Sequence, residues 1–218
     1  MTDTTMDIFT PEGLTILIKT VGYFGLFGII FTESGLFLGF FLPGDSLIFT
    51  AGFLASQGFL NIWVLIAFLF VGAVLGDNFG YSFGRKVGPR IFKREDSILF
   101  HKENLIRANA FYLKHGPKAL ILARFIPVVR TFAPILAGVG TMAYRRFFFY
   151  NLIGGAIWTI SLPLIGYYLG KTIPSIDKYL LPIILGIIIL SFMPTVIHLI
   201  KTGELKMIIK KLIKILKK

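Results

Sequence analysis

Cysteine is absent from the 218-residue chain, which excludes disulfides and thiolate metal sites. Histidine is scarce: His101, His115 and His198 are the three present, and none lies in a broken apolar stretch beside a carboxylate pair or a serine. Membrane phosphatases and metal-dependent intramembrane proteases rely on such histidines, so neither enzyme chemistry nor a metal or other cofactor is expected. Acidic residues number 11 against 23 Lys and Arg. The N-terminus lacks a positively charged n-region and a small-residue cleavage site, so no removable signal peptide is expected.

What the chain has in quantity is apolar surface. It is 55 % hydrophobic with 23 Phe, and its mean hydropathy is +0.78. These values describe an all-α polytopic membrane protein, a single membrane domain over residues 1–218. The net charge of +12 gathers in residues 85–118 and 201–218, as expected for segments held on the cytoplasmic side. Nucleic-acid binding is the usual alternative for so basic a chain, but here the basic segments flank apolar spans.

Residues 1–12 carry Asp3, Asp7 and Glu12 with no cation, and Thr10-Pro11 predicts a helix start. Residues 14–32 form an apolar helix interrupted only by Lys19, long enough to span or to lie partly in the interface. The stretch Glu33–Gly52 is broken at Pro43-Gly44. Each arm of about ten residues reaches ~15 Å, half of a ~30 Å bilayer core, which predicts a re-entrant helical hairpin with Asp45 near its tip. Residues 62–83 form a spanning helix that opens a ladder of Gly72, Gly76, Gly80, Gly84 and Gly88. The ladder is a smooth face for close packing, within one chain or between two copies. A basic connection over 85–118 contains a helix at about 101–114, and a second broken stretch follows at 119–138, interrupted at Pro127 and Pro134. Further spans are predicted at 147–169 and 179–200. Residues 201–218 hold seven lysines on one helical face and Leu205, Ile208, Ile209, Leu212, Ile215 and Leu216 on the other, an interfacial helix on an anionic leaflet.

The two broken stretches read as copies. Ala51-Gly52 matches Ala137-Gly138, Gly80-Tyr81 matches Gly166-Tyr167, and Gly84-Arg85 matches Gly170-Lys171, all 86 residues apart; Phe41-Leu-Pro43 matches Phe125-Ile-Pro127 at 84. Repeat 1 runs from about 33 to 84 and repeat 2 from about 119 to 170. Each unit has one span, so the second is inverted, and the basic residues agree: 62–83 runs toward the 85–118 loop while 147–169 runs away from Arg145-Arg146. Inverted repeats with broken helices are the signature of transporters that bind substrate near the midplane.

Five ionisable residues fall inside apolar stretches: Glu33, Asp45, Asp77, Arg124 and Arg130. Such groups are costly in a bilayer and point to function, with ion pairs that merely hold the hairpins together as the alternative. The expectation is that Glu33 and Asp45 face Arg124 and Arg130 across a central polar cavity. An arginine fork matches phosphate oxygens, and desolvation suits Glu33 or Asp45 to proton exchange. Asp77 stands in a row with Tyr81 and Arg85, where pairing with Arg85 or capping a hairpin explains it as well as transport does. Asp45 and Asp77 could share a proton as an aspartyl protease dyad does, but Leu-Pro-Gly-Asp and Leu-Gly-Asp-Asn match that family's pattern poorly.

The strings Glu33-Ser-Gly…Phe41-Leu-Pro-Gly-Asp45, Gly76-Asp77-Asn-Phe-Gly80-Tyr81-Ser-Phe-Gly84-Arg85-Lys-Val-Gly88 and Arg124-Phe-Ile-Pro127-Val-Val-Arg130…Ala137-Gly138 together resemble the DedA family, which shares the VTT or SNARE-associated domain. The resemblance covers about residues 20–170. It implies a bacterial inner-membrane protein with two opposed re-entrant hairpins, involved in proton-motive-force-dependent membrane homeostasis and in moving lipids such as undecaprenyl phosphate or phosphatidylethanolamine between leaflets. The family's functional acids match Glu33 and Asp45, and its functional arginines match Arg124 and Arg130. The expected function is therefore flipping or scrambling of a phosphate-bearing lipid coupled to protons, with membrane lipids and protons as partners and no nucleic acid. The alternatives are a proton-coupled antiporter of small cations or drugs, and a non-transporting membrane scaffold.

Overall fold

The computed structural model of the chain describes residues 11–36, 44–91, 116–140 and 142–172, with Gly186. The expected helix at 101–114, the span at 179–200, the amphipathic helix at 201–218 and the break at Pro43 lie outside the described residues. Among those described, every regular element is helical: α1 (Pro11–Gly35), α2 (Gly44–Ser56), α3 (Ile62–Ile91), α4 (Ala119–Ala123), α5 (Pro127–Val139) and α6 (Tyr144–Thr172). Among the described residues, three segments are long and apolar enough to cross a membrane: Thr15–Gly35, Ile62–Val87 and Tyr144–Thr172.

Helix α1 is two segments joined at Gly22, whose φ of 57° lies in the left-handed region that favours glycine. Beyond that kink α1 runs parallel to α3. The Asn61 amide donates to the Tyr23 hydroxyl at 2.6 Å, a β-carbon at Gly72 would meet Phe27, and Gly35 closes on Gly76. Gly76 is near the midpoint of α3. Helix α1 therefore stops beside the middle of its neighbour, although its length alone would carry it across. Lys19, the one charge in this apolar run, sits 3.9 Å over the Phe59 ring in the turn before α3.

Helix α2 has 13 residues, and Ser46 to Ala55 are all buried, as befits a helix apolar on every side. It packs on α6, while α5 packs on α3. Glycines make both approaches possible. A β-carbon at Gly52 would strike the Pro163 backbone, one at Gly166 the Phe49 carbonyl, one at Gly84 the Ile135 carbonyl and one at Gly138 the Tyr81 carbonyl. Each half of the described chain thus sets its short helix against the long helix of the other half.

The glycine ladder is used within the chain: Gly72 and Gly76 receive α1, Gly80 and Gly84 receive α5. Pro127 starts α5, after Ile126 in an extended conformation, where its missing N–H costs nothing. Pro134 is a correction to the expected break, because α5 continues through it. Only one intrahelical hydrogen bond is lost there, and the buried ring packs beside Gly80, where a β-carbon would sit 3.5 Å away.

Candidate functional site

The short helices deliver their charges from their first turns. Asp45 is the second residue of α2, and Arg130 the fourth of α5, its amide bonded to the Ile126 carbonyl at 2.9 Å. Glu33 is in the last turn of α1, and Trp158 comes from the middle of α6. These four side chains meet. Arg130 Nη2 lies 2.5 Å from Glu33 Oε1, and Nη1 donates to Asp45 Oδ1 at 2.8 Å. The same oxygen accepts from Trp158 Nε1 at 3.0 Å, and the guanidinium lies 4.1 Å over the indole. The Arg130 and Glu33 side chains are 5 % and 7 % exposed, against 15 % for Asp45, so Asp45 is the accessible edge of the cluster. Gly44 is needed because a β-carbon there would overlap the Glu33 carboxylate.

A second cluster lies alongside. Arg124 Nη2 pairs with Asp77 Oδ2 and donates to Asn151 Oδ1, while Asn151 Nδ2 donates to the Val74 carbonyl at 3.2 Å. Gly154 leaves room for the Arg124 stem: a β-carbon there would come within 3.1 Å of its Cδ. Asp77, Arg124, Arg130 and Asn151 line a cavity of about 10 Å³, the size that holds a single water.

The four expected site residues are thus brought close together, but not across an open cavity. Glu33 and Asp45 contact Arg130 directly, Arg124 is held by Asp77, and the small cavity lies between the two arginines. Asp77 does not pair with Arg85, which is exposed at the far end of α3. Eight helical residues separate the two by ~12 Å, too far for an ion pair. Tyr81 also stands apart from the charges: its hydroxyl donates to the Met142 carbonyl at 2.6 Å, and its ring stacks on Phe147 at 4.4 Å. Sequence reasoning missed Asn151 and Trp158. The available signal was an asparagine in an apolar span, seven residues before a tryptophan and so on the same helical face, with Gly154 and Gly155 between.

An all-helical membrane protein with buried, paired charges where short helices meet long ones is what the fold and the site define. The chain belongs to the DedA family. The VTT domain matches residues 42–168, a range that includes Asp45, Asp77, Arg124, Arg130, Asn151 and Trp158 and begins after Glu33. The chain is 44 % identical over 178 residues to Protein DedA of Escherichia coli (strain K12), covering 81 % of each chain. It is 44 % identical over 169 residues to the uncharacterized membrane protein ML0287 of Mycobacterium leprae (strain TN), covering 78 % of this chain and 75 % of that one. It is also 40 % identical over 161 residues to the inner membrane protein YqjA of Escherichia coli (strain K12), covering 72 % and 71 %. No solved structure matches the chain.

Proposed function

We propose that the chain moves a phosphate-bearing lipid between leaflets and couples that movement to protons. In this reading Arg130 binds the head group, Arg124 supports it, and Glu33 and Asp45 exchange the proton. The carrying observation is that one buried guanidinium is held by two carboxylates where the first turns of two short helices converge. A helix N-terminus favours an anion, and half-helices aimed at a midplane site serve anionic substrates in transporters. The N-termini of α2 and α5 meet at the Asp45–Arg130 pair, so an anion there would face two helix ends and an arginine fork. The carboxylates occupy those donors in the resting arrangement. Protonating one frees Arg130 for phosphate, and competition for the same donors links proton to lipid.

The lengths support a re-entrant reading. Residues 23–35 of α1 and 44–56 of α2 are arms of ~20 Å each, shorter than a ~30 Å hydrocarbon core, and α5 has the same length as α2. The 86-residue offset and the crossed packing of α2 on α6 and α5 on α3 support an inverted repeat.

The test is reconstitution in liposomes, following labelled-lipid exposure and internal pH together. The expected result is lipid movement that responds to a pH gradient and that Arg130→Ala lowers at least about tenfold, one charge-assisted contact being worth roughly 1.5–3 kcal/mol. Arg130→Ala leaves two buried carboxylates unpaired, so Arg130→Lys is measured beside it, with thermal melting to separate misfolding from lost binding. Lipid movement intact in Arg130→Ala overturns the head-group assignment. Ion flux without lipid movement favours a cation antiporter, and neither activity favours a scaffold.

A further inference from the structure

Trp158 is 1 % exposed and sits at the midpoint of α6. An interfacial anchor belongs near a helix end, at head-group level, so anchoring does not account for it. Trp158 belongs to the apolar core, but core filling alone does not account for a polar edge and a face that are both engaged with charged groups. Its Nε1–H donates to the Asp45 oxygen that also accepts from Arg130, and its ring lies under the Arg130 guanidinium. One rigid side chain therefore touches the acid and the base of the same ion pair. Its counterpart in the 86-residue register is Gly72, which makes room for Phe27 of α1 instead, so only one of the two matched positions carries an indole.

We propose that Trp158 is a positioning residue that keeps Arg130 in place while Asp45 exchanges its proton. The inference rests on the proton-and-phosphate reading above. The groups facing Asp45 are Glu33 from α1 and Arg130 from α5, with Asp77 on α3 and Arg124 after α4 beyond them; α6 contributes Trp158. Neutralising Asp45 weakens its bonds to Arg130 Nη1 and Trp158 Nε1 together. Arg130 then keeps Glu33 on one side and the indole face beneath it. A guanidinium so held presents its freed donors to an incoming phosphate instead of swinging toward Asp77.

The chain has two tryptophans, and Trp63 is 69 % exposed, so Trp63→Phe leaves Trp158 as the sole indole, excited selectively beyond the tyrosine band. In that protein, in liposomes of defined phospholipid, Trp158 emission is expected to titrate with pH, and Asp45→Asn is expected to abolish the titration. Trp158→Phe keeps a ring under Arg130 and loses the donor. Its maximal rate of lipid movement should fall less than that of a variant that also loses the ring. Trp158→Leu loses donor and ring and should lower the maximal rate about tenfold. Emission indifferent to pH, or a Trp158→Leu rate no lower than that of Trp158→Phe, overturns the proposal. Should the wild type move no lipid, the functional reading fails, while the emission titration and its loss in Asp45→Asn still decide whether Trp158 senses Asp45.

Discussion

Arg124 and Arg130 are the same side chain in two settings. Arg130 has two carboxylates and an indole around it, in contact with the first turns of two helices. Arg124 has one carboxylate and one amide and lies against the glycine face of α6. Breaking a buried pair by removing one partner is costly, whereas replacing both by apolar groups is often neutral. Asp77→Ala is therefore expected to destabilise by about 3–5 kcal/mol, and the double variant Asp77→Ala/Arg124→Met to recover most of it, read by thermal melting in detergent. The double variant also tests the role of Arg124: wild-type lipid movement would make it structural, and loss of movement in a well-folded double variant would give it a place in head-group binding. The sequence exposed both arginines because a charge in an apolar run stands out. Their partners were less legible, since Arg124 and Asp77 are 47 residues apart and only the docking of α4 against α6 decides that they meet. Trp158 was harder still, being indistinguishable in sequence from a packing residue until its Nε1 is seen on Asp45.

At the scale of elements, glycine does two different jobs that spacing alone does not separate. Gly84 and Gly166 face backbone carbonyls of α5 and α2, while a β-carbon at Gly28 would meet nothing within 4 Å. A neighbouring side chain can rotate away, but a helix backbone moves only as a unit. Gly84→Ala and Gly166→Ala are thus expected to cost about 1–3 kcal/mol as overpacked contacts. Gly28→Ala should be neutral or stabilising by up to roughly 1 kcal/mol, since alanine is the better helix former. Thermal melting of the three variants checks this, and equal effects at all three would mean that the crossed helix packing is wrong. The four-residue ladder told correctly that α3 has a smooth face. It did not tell that two partners share that face, α1 on the first half and α5 on the second, because a run of glycines has no feature marking where one partner ends.

For the whole molecule, the depth of each residue follows from register along α3. Tyr23 is level with Asn61 at the start of that helix, and Gly35 is level with Gly76 at its middle. If α3 crosses the bilayer, α1 enters from the side of the turn at 57–60 and stops at mid-depth, beside Asp45, Arg130 and Trp158. The alternative, in which α1 crosses fully, carries its end to the side of Arg85 and Lys86. The two differ in a way that single thiols can report, because the chain contains no cysteine and each variant has one reactive site. Thr20, Gln57, Lys86 and Lys118 are exposed, and Ser34 is buried. A membrane-impermeant thiol reagent applied to intact cells is expected to label Thr20→Cys and Gln57→Cys. It should reach Lys86→Cys and Lys118→Cys only after permeabilisation, as the basic residues after α3 require, and leave Ser34→Cys unlabelled from both sides. Labelling of Ser34→Cys from the Lys86 side would mean that α1 spans and that Glu33 is at the surface. Arg130 would then lose one of its two carboxylates to solvent, and competition between proton and phosphate for its donors would no longer follow.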